Sequence, residues 1–401
     1  MLRSVGVESR RSYRVGHGRN LNCKLALLAV VSAVLCIPDL PAQDSAPAKD
    51  AAPPPIPAAE IEKLSPDVRL QRAGEFAREG NLPYAIQLYR AYLDKRPDDS
   101  DARRILATKL LQAGDLVSAA QEAGTLISKD PKDYSARHYL GMALYRQGKN
   151  SQGIAELVEA LKLKSDYAAA RRDLGAIFLS ENRLAEASSL YGDAVSLHPN
   201  DSDAQNDYGV VLIRLGDVEG ASSRFAECIR INPKHIDAHY NLGQLSLRIW
   251  KLDKAIESYK ATLALEPGYI DAYLGLGRAL SRSGRHDEAL EQFKKCTELA
   301  PRSSDALYEL SMELLYKGDR KEAFARLGEA LRHNPRHADA HRQLALALLA
   351  DGKAPLALPQ LRAVLRERPE DAQAHYELAR CLSLLRRMDE AVASYLSLIH
   401  I

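Results

Sequence analysis

Apolar and small residues recur along this chain with a fixed step of 34 positions. Proline marks the step at Pro97, Pro131, Pro199, Pro233, Pro267, Pro301, Pro335 and Pro369, and Ser165 fills the missing place. A leucine column runs through Leu106, Leu140, Leu174, Leu242, Leu276, Leu310, Leu344 and Leu378. A small residue follows each of them: Ala107, Gly141, Gly175, Gly243, Gly277, Ser311, Ala345 and Ala379. A second small column holds Ala85, Ala119, Gly153, Ala187, Ala221, Ala255, Ala289, Ala323, Ala357 and Ala391. In each step the seventh, eighth and eleventh residues form an apolar stripe at i, i+1, i+4 spacing, which is the period of a helix face. Tyr191, Phe225, Tyr259, Phe293 and Tyr395 place a bulky plug on a second helix. The pattern predicts an all-α chain with two helices per step, A and B, whose small columns allow close approach.

The connections carry their own signals. Gly80, Gly114, Gly148, Gly216, Gly284, Gly318 and Gly352 stand where helix A should end, the place of a left-handed residue. Trp250 and Arg386 take that place in two steps. Asp101, Asp203, Asp237, Asp271, Asp305 and Asp339 sit at the start of helix A, where they are expected to cap free amides and face the helix dipole. Pro83 and Pro355 fall in the first turn of helix B, the tolerated position. Pro359 falls deeper, and a late start or a kink is expected there. Ser165 and Gly153 weaken the repeat starting at 134, which is expected to act as a hinge.

These columns resemble the tetratricopeptide repeat, a helix–turn–helix unit with the same period. Ten repeats start at 66, 100, 134, 168, 202, 236, 270, 304, 338 and 372, the last one incomplete, so the array covers residues 66–401. The resemblance implies a right-handed superhelical α-solenoid. One repeat buries too little to offset the ordering of its own chain, so neighbours share a continuous core.

The resemblance also implies an inner groove lined by helix A, mainly by its second, fifth, sixth, ninth, twelfth and thirteenth residues. The fifth place reads Arg104, His138, Arg172, Asn206, Tyr240, Leu274, Tyr308, Arg342 and Tyr376, and the thirteenth adds Arg78, Arg146, Arg214, Arg248 and Arg282. Arginine offers bidentate contacts to carboxylates, and tyrosine offers flat, rigid area. The candidate partner-binding residues are therefore Arg104, Arg172, Arg342, Tyr240, Tyr308, Tyr376, Arg146, Arg214, Arg248 and Arg282, with Trp250 as an exposed anchor. The expected partner is another protein or an extended peptide with acidic and apolar side chains. Changing Arg104, Arg172 and Arg342 together to Glu is expected to abolish capture without altering helical content. Two known groove chemistries of the family, the carboxylate clamp and the asparagine ladder, find only Asn241 here.

Composition adds bounds. The chain has 401 residues, 46% hydrophobic and 27% charged, which suits a soluble globular class and exceeds what a single core supports. Residues 1–42 hold six bases and two acids, and the remainder is nearly neutral, which argues against nucleic-acid binding. The apolar run from Leu25 to Ile37 follows Lys24 and five arginines and precedes Pro38 and Ala42. Residues 1–42 are thus expected to be a secretory signal peptide or, uncleaved, an N-terminal membrane tether. Residues 43–65 are rich in Pro and Ala, including Pro53, Pro54 and Pro55, and are expected to form an extended linker. The expected location is exported, in the periplasm or cell envelope.

No phosphate-binding loop, nucleophile elbow or metalloprotease motif occurs, so no catalytic residue, cofactor or metal is expected. His235-x-Asp237-x-His239 and His337-x-Asp339-x-His341 have ligand-like spacing, but they fall at helix starts and are expected to be solvated. Cys228, Cys296 and Cys381 are expected to be buried free thiols. The expected function is a non-enzymatic protein-interaction scaffold. One alternative is an assembly subunit of a secretion, pilus or polysaccharide-export machine, self-associating through the apolar end near Leu396, Leu398, Ile399 and Ile401. A second alternative is the regulatory array of a glycosyltransferase-like enzyme whose catalytic region lies outside this sequence.

Overall fold

A computed structural model describes residues 57–400. The leader expected at 1–42, its apolar run at 25–37, residues 43–56 of the linker and Ile401 lie outside the described residues. Every regular element among the described residues is a helix, and none is long and apolar enough to cross a membrane. The chain divides into two compact units, one ending at Arg96 and the other beginning at Pro97.

The first unit contains α1 (Ala58–Glu62), α2 (Pro66–Arg78) and α3 (Leu82–Leu93). Helix α1 falls inside the segment expected to be an extended linker. It is held by Arg69, whose guanidinium donates to the carbonyls of Ile61 (3.0 Å), Glu62 (3.2 Å) and Ala91 (2.8 Å). Those bonds and the burial of Ile61 order a stretch that composition alone leaves extended.

The second unit is an α-solenoid of nine helical hairpins among the described residues. Its helices are α4 (Ser100–Ala113) and α5 (Leu116–Lys129), α6 (Tyr134–Arg146) and α7 (Asn150–Leu163), α8 (Ala168–Ser180) and α9 (Leu184–Leu197). There follow α10 (Ser202–Leu215) and α11 (Val218–Ile231), α12 (Ile236–Arg248) and α13 (Leu252–Leu265), α14 (Ile270–Arg282) and α15 (His286–Leu299). The series ends with α16 (Ser304–Tyr316) and α17 (Arg320–His333), α18 (Ala338–Ala350) and α19 (Ala354–Glu367), α20 (Ala372–Leu384) and α21 (Met388–His400). Helix A of one repeat touches helix A of the next in α4 and α6, α10 and α12, α12 and α14, and α14 and α16. That contact puts helix A on the inner side of the curve.

The small columns act as predicted. Tyr259 fills a slot between two helices A: a Cβ on Gly243 would lie 2.9 Å from its ring, and one on Gly275 would lie 2.4 Å away. Tyr191, Phe225 and Phe293 are buried likewise, whereas Tyr395 is 37% exposed. The repeat starting at 134 is not the loose one that its pattern suggests. Gly141 and Gly153 bring α6 and α7 so close that a Cβ on Gly153 would lie 2.7 Å from the Gly141 carbonyl oxygen. The departure from Ala at 153 therefore permits a tighter hairpin.

Three further expectations need correction. The caps of helix A are not Asp101, Asp203 and their equivalents but the residues two places earlier. Asp99, Asp133, Asp201, His235, Ser303, His337 and Asp371 accept the third amide of their helices at 2.9–3.3 Å. A cap needs extended backbone, which these residues have, whereas the aspartates already lie inside the helix. Consequently His235 and His337 are capping side chains, not solvated ones. Finally, α19 runs unbroken through Pro359. Pro359 is the sixth residue of that helix, so its missing amide removes the internal bond to the Pro355 carbonyl, and the helix continues on both sides of the gap.

All the turns from helix A to helix B use left-handed backbone. Glycine supplies it at seven of them among the described residues, and Asn182, Trp250 and Arg386 supply it with φ of 58°, 60° and 63°. The last hairpin leaves Leu384, Met388, Val392 and Leu396 more than half exposed.

Candidate functional site

The inner face is a lattice of contacts between repeats. The fifth residue of helix A meets the cap of the next helix A. Arg104 donates through Nε to Asp133 at 3.0 Å, and Arg342 pairs with Asp371. His138 stands 3.1 Å from the Tyr167 hydroxyl through Nδ1. Tyr240 packs on Tyr269 with ring centroids 4.9 Å apart, and Tyr308 packs on His337 at 5.0 Å. Arginine thus meets aspartate, and aromatic meets aromatic, so each repeat fixes the angle of its neighbour.

This geometry changes how the predicted arginines can act. Arg104 also bonds Asp101 at 2.6 Å, and Arg342 lies 3.4 Å from the buried Glu377 carboxylate. Arg172 is more open: among the described residues its one ion pair is with Asp203 at 3.3 Å, and both side chains are about half exposed. Burial pushes the Asp133 carboxyl up, but the Ala136 amide, the Ser135 hydroxyl and Arg104 outweigh it and hold it below the usual range. The triple change to Glu would place a carboxylate against buried Asp133 and another against Asp371, so unchanged helical content no longer follows. Tyr376 is 43% exposed and stands free of that lattice, with Arg380 over its ring at 5.8 Å.

Between the arginines the face is acidic. Asp203 receives both Arg172 and His235, whose Nε2 is 3.3 Å away. His138 Nε2 lies 2.6 Å from Asp173. Asn241 donates to Asn206 at 3.0 Å, and Asn206 donates to Asp207 at 3.3 Å. Burial raises the Asp207 carboxyl to about 6, against the pull of Asn206 and Arg172. The two His-x-Asp-x-His sequences are used locally: His239 and His341 turn Nε2 to the carbonyls of Pro233 and Pro335, both at 3.0 Å. Cys228, Cys296 and Cys381 are buried free thiols, and burial pushes Cys228 up to about 12 and Cys296 to about 11.

The thirteenth residue of helix A lies at the edge where A turns into B. Arg146 donates to the Leu111 carbonyl at 2.9 Å, and Arg214 to the Leu179 carbonyl at 3.0 Å. Each adds a side-chain donor to a carbonyl near the end of the preceding helix A that also accepts a turn amide, from Gly114 in one case and Asn182 in the other. Arg248 and Arg282 form no hydrogen bond or ion pair among the described residues. Arg282 lies instead over the Trp250 ring, 5.3 Å from its centroid, and Trp250 is 65% exposed. The sequence signal for the lattice, a match between the fifth residue and the cap 29 places on, joins two columns that were read separately.

Tetratricopeptide-repeat profiles match residues 76–144, 139–202, 177–234, 209–270, 251–311, 308–359 and 342–401. No curated protein matches the chain. Among solved structures it is similar to the Cut9–Hcn1 hetero-tetramer of the APC/C, with a TM-score of 0.50 and 17% identity over 73% of this chain and 57% of that one. It is also similar to pilF of Pseudomonas aeruginosa (TM-score 0.48, 19% identity, 53% of this chain and 96% of that one). YrrB, a TPR protein with an unusual peptide-binding site, gives a TM-score of 0.41 at 25% identity over 46% of this chain and 95% of that one. Profiles that tile the chain from residue 76 to its last residue, over the helix pairs described above, carry the conclusion: the chain belongs to the tetratricopeptide repeat family.

Proposed function

We propose that this protein is a non-enzymatic scaffold that holds partner proteins along the inner, helix-A face of its second unit. Tetratricopeptide arrays are protein-interaction scaffolds, and the single observation that supports this face is its rigidity. Contacts from Arg104 to Asp133, Tyr240 to Tyr269 and Arg342 to Asp371 set neighbouring repeats before any partner arrives, so little ordering is lost on binding. Arg172, Tyr376 and the exposed Gln244 present free area on that face. The test is a photo-crosslinking amino acid placed in the full chain in its own cells. Adducts of the same proteins should form from positions 172, 244 and 376. Adducts only from the exposed outer positions Gln121, Lys254 and Glu291 would reject the inner face.

A second reading, an assembly subunit of the cell envelope, draws on the exposed Leu384, Met388, Val392 and Leu396. It predicts concentration-dependent self-association that Leu396→Lys removes. Export rests on the sequence alone, through the basic leader and the apolar run at 25–37.

A further inference from the structure

We infer that the turn edge of the repeats starting at 236 and 270 is a second partner-binding site, built from Arg248, Trp250 and Arg282, for a protein segment that carries carboxylates beside an apolar side chain. The inference rests on the scaffold reading and adds a site that the inner groove does not contain.

Trp250 occupies a left-handed position (φ 60°) that glycine fills at seven other turns, and that conformation is costly for any residue with a Cβ. The side chain recovers little by packing, since most of it faces solvent. Among the described residues, its ring is met by the Arg282 guanidinium. Arg248 and Arg282 stand in the column in which Arg146 and Arg214 bond carbonyls of the preceding helix A, yet neither makes such a bond. One turn before Arg282, Arg278 is already paired with Glu309 at 2.7 Å. Arg282 is exposed and forms no ion pair among the described residues, so its guanidinium is open to an arriving carboxylate. Tyr316, at the thirteenth place of the repeat starting at 304, is 68% exposed and stacked on His286 at 3.6 Å.

Tryptophan, tyrosine and arginine are the residues enriched at binding hot spots, and a guanidinium over an indole, with a second unbonded arginine two residues before that indole in the chain, selects carboxylates beside an apolar group. The near-neutral charge of the array disfavours a polyphosphate backbone, which needs clustered excess basic charge.

Trp250 is the only tryptophan of the chain, so the emission of the full-length protein reports this edge alone. Random peptides displayed on phage are selected on the full chain, and the enriched sequences are synthesised and titrated. They should carry Asp or Glu next to Leu or Phe, shift the tryptophan emission to the blue, and bind at least about tenfold more weakly to the Arg248→Ala, Arg282→Ala double variant. Helical content measured by circular dichroism shows that this variant is folded. Enriched peptides without acids, an unmoved emission, or equal binding by the double variant would each overturn the inference. A shift produced by single-stranded DNA and not by acidic peptides would overturn it in favour of nucleic acid. Loss of peptide binding in an Arg172→Ala, Tyr376→Ala variant, with the double edge variant unaffected, would keep the scaffold reading and reject this site. No enriched peptide together with no crosslinked partner would reject both.

Discussion

Two stretches of the same edge treat the same residue differently. In the repeats starting at 134 and 202 the thirteenth residue of helix A is an arginine bonded to the helix before it, and the turn behind it holds glycine. In the repeats starting at 236 and 270 the arginines are unbonded, and one of the two turns carries an exposed tryptophan in place of glycine. Charge, spacing and helix position match, yet one pair seals the array and the other faces outward. A repeat period therefore fixes where a side chain is offered, and its immediate neighbours decide whether it is already used.

The comparison can be broken most severely from beneath. Tyr259 fills the slot between Gly243 and Gly275 under the outward pair, so Tyr259→Ala should cost about 3–5 kcal/mol in denaturant unfolding. A loss below about 1 kcal/mol would mean that the two helices A are not held by this plug.

The sealed stretch carries a cost of its own, at Asp207. Folding raises this carboxyl from 3.8 to about 6, so its ionisation opposes folding. The penalty is absent below the unfolded value, grows as pH rises between the two, and is complete above the folded one. Asp207→Asn should therefore stabilise the protein at neutral pH by about 1–2 kcal/mol after allowance for solvent screening, and flatten the stability profile in that window. Equal profiles for parent and variant would show that the carboxyl is solvated.

The direct test is the arginine column. Arg146→Ala and Arg214→Ala should each cost about 0.5–1.5 kcal/mol, because the contact between successive helices A loses a hydrogen bond. Arg248→Ala and Arg282→Ala should stay within about 0.5 kcal/mol. Equal losses in all four thermal melts would erase the distinction. The smallest effect is a gain. Trp250→Gly relieves a left-handed residue at the expense of unfolded-chain entropy, and should raise stability by about 0.5 kcal/mol. A loss there would show that the indole packs in solution.

Much of this was legible in the columns. The small residues at 243 and 277, the leucines before them and the plugs at 259 and 293 are separate one-column signals, and at these positions each column buries the same kind of side chain. The caps were misplaced by two residues because the Asp203 and Asp237 column is the more regular one, whereas the true caps alternate among Asp, Ser and His. What unites the caps is an acceptor atom. Arg104 and Arg342 read as open carboxylate readers because Asp133 and Asp371 belong to the following repeat, 29 residues on, and a column-by-column reading never pairs them.

The sequence by itself determined that the chain is a stack of helical hairpins, since burial at a fixed period leaves few other ways to cover the same faces. It also determined which side chains each repeat presents at the inner face and at the turn edge. Only the tertiary structure decided which of those are free. Hydrogen bonds and ion pairs act over a few ångströms, and the atoms that satisfy Arg104, Arg146 and Arg214, or leave Arg248 and Arg282 unsatisfied, come together only when one repeat is laid upon the next.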